Sequence, residues 1–249
     1  QGFQGRFHLV QSSGGLISPA AAVEFPVRLL ESGPAGGGQA TAYLGRLLNC
    51  PDVISFDMGG TTAKACLIQN GEADVAPMME AARVNRFKKG SGIPIVAPVI
   101  DMIEIGAGGG SIAWVDQMDL LKVGPASAGA DPGPACYGRY EIDASAAKAT
   151  VTDAGLLLGY LNPDNFLGGR MALDLAAAEA AIGEVAGQLS MGPVETAWGI
   201  YDIVCENMAA ATRVHVVEKG HDPRRYAMVA MGGAGPVHAA RVARKLGIS

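Results

Sequence analysis

Apolar residues follow two rhythms along this chain. From Asp52 to Asp57 (DVISFD) they form a short run dense in β-branched and aromatic side chains, as a buried strand does. GGTT follows, and then AKACLI, a second run that ends at the turn Gln69-Asn70-Gly71. Strand, glycine turn and strand predict a β-hairpin. Residues 7–11 (FHLVQ) predict a short strand before the turn SSGGL, and Tyr226–Met231 (YAMVAM) predicts a short buried strand leading into GGAGP. Elsewhere the spacing is helical. Residues 38–49 predict a helix opened by the Gly-rich stretch SGPAGGG, and residues 174–187 an Ala-rich helix with Asp174 as its N-cap. Residues 193–219 carry one long helical pattern, with Pro193 suited to its first turn and Gly220 to its C-cap. Residues 236–246 predict a last amphipathic helix.

Residues 77–149 break both rhythms: Pro and Gly recur in GSGIP, IGAGGGSIA and VGPASAGADPGPACYGR, and helical spacing is weak. The expected organisation is therefore an α/β unit built from 1–76 and 172–249, interrupted by an inserted Gly/Pro-rich subdomain over 77–171.

Composition narrows the classes. Of 249 residues 49% are hydrophobic, which excludes a disordered chain, and the net charge of −5 leaves no broad cationic surface for nucleic acid or anionic lipid. The 35 glycines are clustered, not periodic, so a collagen-like repeat is excluded. Apolar runs fall short of the roughly 18 residues of a spanning helix. The four cysteines (Cys50, Cys66, Cys136, Cys205) have no CxxC pair and read as buried thiols in a cytoplasmic protein. Gln1-Gly2-Phe3 reads as an arbitrary cut, so a fragment of a longer protein is expected.

Three motifs carry candidate chemistry. In Phe56–Lys64 (FDMGGTTAK) an acid ends a buried strand and two glycines turn the chain. Such glycines let backbone N–H groups reach a phosphate, two threonine hydroxyls add donors, and Asp57 is placed to hold a hydrated divalent cation. An ordinary hairpin turn is the competing reading, and the absence of GxxxxGK[ST] excludes a Walker-type loop. In Met231–Pro236 (MGGAGP) a glycine turn lies between strand and helix, as suits a nucleotide ring or phosphate, or simply tight packing. The third motif runs from Asp101 through Glu104 to Ser111. Its two acids share a face only in a helical turn, and its GAGGGS run offers either an anion nest or a glycine-rich surface loop. Asp131 and Asp153 are further acids; Asp153 suits the N-cap of a helix near Gly155 better than catalysis. Cys136 has no nearby histidine among His8, His215, His221 and His238, so a structural thiol is favoured over a nucleophile. Neither His215 nor His238, both in helical patterns, makes a metal site.

SFDMGGTTAKACLI, IEIGAGGGSIA, GPASAGADPGPACYG, TVTDAGLLLGYL and MGGAGPVHAARVA, in this order, resemble the hydantoinase A / 5-oxoprolinase family. The resemblance spans about residues 9 to 249, and the small-residue run Gly124–Gly138 is its most specific part. It implies a ribonuclease-H-like half of the actin, sugar kinase and heat-shock ATPase fold, with a mixed sheet, flanking helices and a Gly-rich insertion. It implies ATP and Mg2+ as cofactors and ATP-dependent opening of a hydantoin or 5-oxoproline-type ring through carbonyl phosphorylation. Asp57 is then the catalytic and metal-binding acid, with Asp101 a second metal candidate. Gly59, Gly60, Thr61 and Thr62 face the phosphates, and Gly232, Gly233 and Gly235 the adenosine. A small cyclic amide is the implied partner, together with an N-terminal half carrying the other DxGGT turn and a hydantoinase B-type second subunit. The chain has only one DxGGT, at Asp57, so alone it is expected to be inactive. Lys64 departs from the family, many of whose members have an acid there, and suits either pairing with a phosphate or an exposed place on the hairpin; Tyr140–Ala149 is longer than the expected link. An ATP-dependent ketone carboxylase subunit and a non-catalytic nucleotide-binding or assembly domain are the alternatives.

Overall fold

The computed structural model describes residues 2–81, 90–140 and 146–248. Most of the expected inserted subdomain is among them; of Tyr140–Ala149, residues 141–145 lie outside the described residues. In chain order the elements begin β1 (Leu9–Val10), β2 (Leu16–Ile17), α1 (Pro19–Glu24), α2 (Ser32–Leu47), β3 (Val53–Met58) and β4 (Ala63–Gln69). Short strands follow: β5 (Glu72–Ala73), β6 (Val75–Ala76), β7 (Met79–Ala81), β8 (Ile93–Ile95), β9 (Val99–Ile100), β10 (Met102–Ile105), β11 (Ser111–Val115) and β12 (Leu121–Ser127). The remainder is α3 (Val151–Leu157), α4 (Leu175–Leu189), α5 (Pro193–Glu218), β13 (Ala227–Met231) and α6 (Gly235–Leu246). The chain is α/β. Its largest sheet has the order β10–β4–β3–β13, with β5 folded back on β4.

Two units divide the chain: one comprises residues 1–55, 65–103 and 225–229, the other 56–64, 104–224 and 230–249. In the first, Ala35 and Ala42 of α2 pack with Val53, Cys66, Ile68 and Ile100. The α2 helix starts at Ser32, earlier than the expected residue 38, because SGPAGGG is inside the helix rather than ahead of it. Packing overrides glycine's poor helix propensity here: Gly38 is buried, and a Cβ there would lie 3.3 Å from Cys66 Sγ and 3.5 Å from Ile100 Cδ1. Asn70 and Gly71, both at positive φ (52° and 77°), turn β4 back into β5, with Gln69 opposite Glu72.

In the second unit α5 is the central helix, packed by α3, α4, α6 and β12. Its inward stripe includes the fully buried Ile200, Val204, Met208 and Ala209. Asp174 caps α4, accepting from Ala177 N–H at 3.0 Å, and Gly220 follows α5 at φ 80°. β11 and β12, from the region expected to be loop-rich, form an antiparallel pair with Trp114 opposite Lys122. β13 is half-buried throughout, not buried as its composition predicted.

Candidate functional site

Asp57, the two glycine turns and the GAGGGS segment all belong to the second unit. Val53, Ile54 and Phe56 are fully buried and fix β3, which delivers Asp57 half-buried at its end. The turn after it is closed by a hydrogen bond from Gly59 N–H to Thr62 O at 3.0 Å. Gly60 and Thr61 at its tip are exposed.

The turn after β13 reaches the same place. Ala234 N–H donates to Met58 O at 3.0 Å, at the end of β3. Gly232, at φ 80°, lies so close that a Cβ there would strike Asp57 Oδ1 and Met58 O. It is therefore the contact point between turn and carboxylate. Gly235 is the first residue of α6, and a Cβ on Gly233 would meet nothing within 4 Å. Gly60 is equally open. Among the described residues the space in front of Gly60 and Gly233 is thus open.

GAGGGS is not the anion nest considered from sequence, nor a surface loop. Residues 107–111 are buried and their donors are spent within the chain. Gly108 N–H donates to Ser111 Oγ at 2.9 Å, Gly109 N–H to Gly59 O at 3.1 Å, Gly110 N–H to Gly60 O at 2.6 Å and Ser111 N–H to Gly108 O at 3.1 Å. Thr152 at the start of α3 binds the other side, its N–H and Oγ1 each donating to Gly109 O at 2.8 Å. The segment is a strut beneath the Gly59–Thr62 turn.

Burial raises the Asp57 carboxyl above the ordinary carboxylate range, and the Lys64 ammonium draws it partly back. Lys64 Nζ also lies 3.8 Å from Glu104 Oε1. Glu104 is on strand β10, and Asp101 lies just before that strand, so the two do not share a helical turn. Asp101 belongs to the first unit, where its N–H donates to Asp74 O at 2.8 Å. Among the described residues no group of three or more His, Cys, Asp or Glu is placed to hold a metal. One carboxylate beside an open glycine turn fits a Mg2+ that keeps its waters and arrives with phosphates, as Mg2+ commonly does, rather than a protein cage. The open faces of Gly60 and Gly233 fit a phosphate and an adjoining nucleoside.

Two other candidates prove structural. Asp153 is fully buried at the third position of α3, not at its N-cap: the helix starts at Val151, four residues before Gly155, and Thr150 is the N-cap. It completes a capping box with Thr150 and accepts from Cys136 N–H at 2.8 Å and Ala135 N–H at 3.3 Å. The Cys136 thiol is pushed far up by burial and by the Asp153 charge, so it is no nucleophile. Of the other cysteines, Cys66 and Cys205 are buried as expected, while Cys50 is half-exposed. Burial lowers His238 to about 4; it stacks on Tyr201 at 5.0 Å and lies 3.4 Å from Cys205 Sγ. Sequence reasoning missed the Lys64–Glu104 pair, which needed the adjacency of β4 and β10.

The family model for hydantoinase/oxoprolinase matches residues 1–249. A functionally uncharacterised protein of Methanocaldococcus jannaschii is 45% identical over 100% of this chain and 36% of its own length. The caprolactamase subunit alpha of Pseudomonas jessenii is 37% identical over 95% of this chain and 32% of its own. The nucleotide-free structure of acetone carboxylase, from work on ATP-dependent acetone carboxylation, matches 99% of this chain and 33% of that one, with a TM-score of 0.81 at 31% identity. The chain thus spans about a third of the length of these proteins. Among the described residues no helix is long and apolar enough to cross a membrane.

Proposed function

The chain belongs to the hydantoinase/oxoprolinase family, and from that premise we propose that it supplies one side of the ATP site of an enzyme that opens a cyclic amide of the hydantoin or 5-oxoproline type. The observation that carries this reading is the convergence at Asp57 of two glycine turns whose Gly60 and Gly233 face open space, the first turn held from beneath by the GAGGGS strut and the second by Ala234 N–H on Met58 O.

An unactivated amide is a poor electrophile. ATP supplies the phosphoryl group that activates the ring carbonyl toward water. Within this chain Asp57 orients a hydrated Mg2+, and the N–H groups and hydroxyls of Gly60, Thr61 and Thr62 receive phosphate oxygens. Gly59 sets the turn, its N–H being used by Thr62. Gly233 lets the nucleoside approach, while Gly232 and Gly235 shape the turn and open α6. Asp101 is not used in this scheme. A second DxGGT turn and a hydantoinase B-type subunit complete the enzyme; the subunit naming of the P. jessenii relative supports a multi-subunit assembly.

A second reading is an ATP-dependent ketone carboxylase subunit, favoured by the likeness to acetone carboxylase. Phosphate release by the full open reading frame, with its neighbouring subunit, separates the two. Release stimulated by hydantoins or 5-oxoproline supports ring opening, release requiring ketone and bicarbonate supports carboxylation, and ATP turnover indifferent to both removes each. Asp57→Asn is expected to lower turnover at least tenfold, about 1.4 kcal/mol of barrier, without loss of thermal stability. Turnover above that limit removes the metal role of Asp57.

A further inference from the structure

Helix α2 carries one charge in its 16 residues, Arg46, whose guanidinium donates to Gly71 O. One face of the helix is closed in the ordinary way. Ala35, Gly38, Thr41, Ala42 and Gly45 are buried, with Ala35 and Ala42 packed against Val53, Cys66, Ile68 and Ile100. The opposite face is apolar too. At about 100° per residue, Gly36, Ala40, Tyr43, Leu44 and Leu47 lie within about 50° of one line on the far side from that stripe. The start of this second face is covered: a Cβ on Gly36 would meet the two Val10 methyls of β1 at 3.9 and 4.0 Å. The rest is bare. Ala40, Tyr43, Leu44 and Leu47 are exposed, Tyr43 by 60% and Leu47 by 62%.

The helices of the other unit present charge to solvent. α4 exposes Glu179 and Glu184, and α6 exposes Arg244. A helix that is apolar all round is an interior helix, and a contiguous apolar patch on a soluble protein marks a place of contact. The chain spans 36% and 32% of the lengths of the M. jannaschii and P. jessenii relatives, so most of such a protein lies outside it. A separately made subunit has to stay soluble before it meets its partner, whereas a face covered as its own chain folds is free of that demand.

We propose that the Ala40–Leu47 face of α2 is an interdomain contact, covered by an apolar surface from the remainder of the same polypeptide. Arg46 is turned to Gly71, so the covering surface needs no acid to meet it. The contact depends neither on Asp57 nor on ATP, and stands or falls apart from the proposed reaction.

The test is hydroxyl-radical footprinting of the wild-type full open reading frame, read residue by residue by mass spectrometry. The protein is taken without its neighbouring subunit, at a dilution where sedimentation shows a monomer. A synthetic peptide of residues 32–48 gives the uncovered rate. The fold of these 249 residues leaves Tyr43 and Leu47 about 60% exposed, and so accounts for less than about twofold slowing. In the full-length monomer both are expected to be oxidised at least about fivefold more slowly than in the peptide. A smaller difference overturns the proposal. Protection that appears only when the neighbouring subunit is added gives the face to that subunit, and protection confined to concentrations at which the protein dimerises gives it to a second copy. Either result overturns the proposal.

Discussion

Two glycine-rich segments meet at the end of β3, and they use glycine for opposite ends. In Gly59–Thr62 the tip is exposed, and a Cβ on Gly60 would meet nothing within 4 Å. In Gly106–Ser111 the chain is largely buried, and a Cβ on Gly108 would lie 2.6 Å from both Gly60 O and Thr61 N. One segment leaves space that its own fold does not need; the other removes side chains so that two backbones can touch. Counting glycines therefore cannot separate a ligand loop from a strut. The room in front of each Cα and the destination of each N–H can.

The largest effect should come from the strut. Gly108→Val puts a branched side chain into a gap already closed by backbone, where no flexible neighbour can yield. Overpacking of this kind costs about 1–3 kcal/mol in ordinary cores, and backbone contact at this distance should reach or exceed the top of that range. Soluble yield and the urea midpoint of the expressed protein are the measurements. A midpoint within error of wild type would mean that the strut is not packed as described.

A smaller effect, on pH dependence, belongs to the structural side of the same turn. His238, on the helix that follows GGAGP, is 2% exposed, and burial lowers it to about 4. The unfolded chain binds a proton at this residue below about 6.5, whereas the folded one does not until about 4. Stability from neutral His238 is thus complete above about pH 6.5 and is lost as pH falls toward 4, by about 3 kcal/mol in all. Urea unfolding between those limits should show a slope near 1.4 kcal/mol per pH unit that His238→Phe removes. Identical slopes would place His238 in contact with solvent.

The sequence made the hairpin, the capped helices α4 and α5 and the strand before GGAGP legible, because each is set by local spacing and turn chemistry. The hairpin turn Asn70-Gly71 and the cap at Asp174 need no distant partner to be recognised. SGPAGGG was misread as a helix opening because its last glycine, Gly38, packs against Cys66 and Ile100, which local propensity does not register. GAGGGS was misread for the same reason: its N–H groups look available until Gly59 and Gly60 are brought against them. Asp57 was legible as the acid of a strand end. The Lys64–Glu104 contact was not, since Glu104 is 40 residues beyond Lys64 and reaches it only across the sheet.

The smallest effect on stability, and the most telling for function, should come from Gly60. Its φ lies outside the left-handed region and its Cβ direction is open, so the fold itself gives no reason for glycine there. Gly60→Ala should shift unfolding free energy by no more than about 0.5 kcal/mol, the usual range for surface changes free of packing or backbone strain. A bulkier Gly60→Val should add only modest backbone restriction. If the open space is where phosphate approaches the turn, the same methyl groups stand in the ligand's path. ATP affinity should then fall stepwise from glycine to alanine to valine, about tenfold or more for valine, while the midpoint barely moves. The contrast with Gly108 is the point of the pair: one valine removes the fold, the other removes the ligand. Parallel losses of stability and affinity at Gly60 would make its turn an ordinary hairpin and erase the distinction between the two segments.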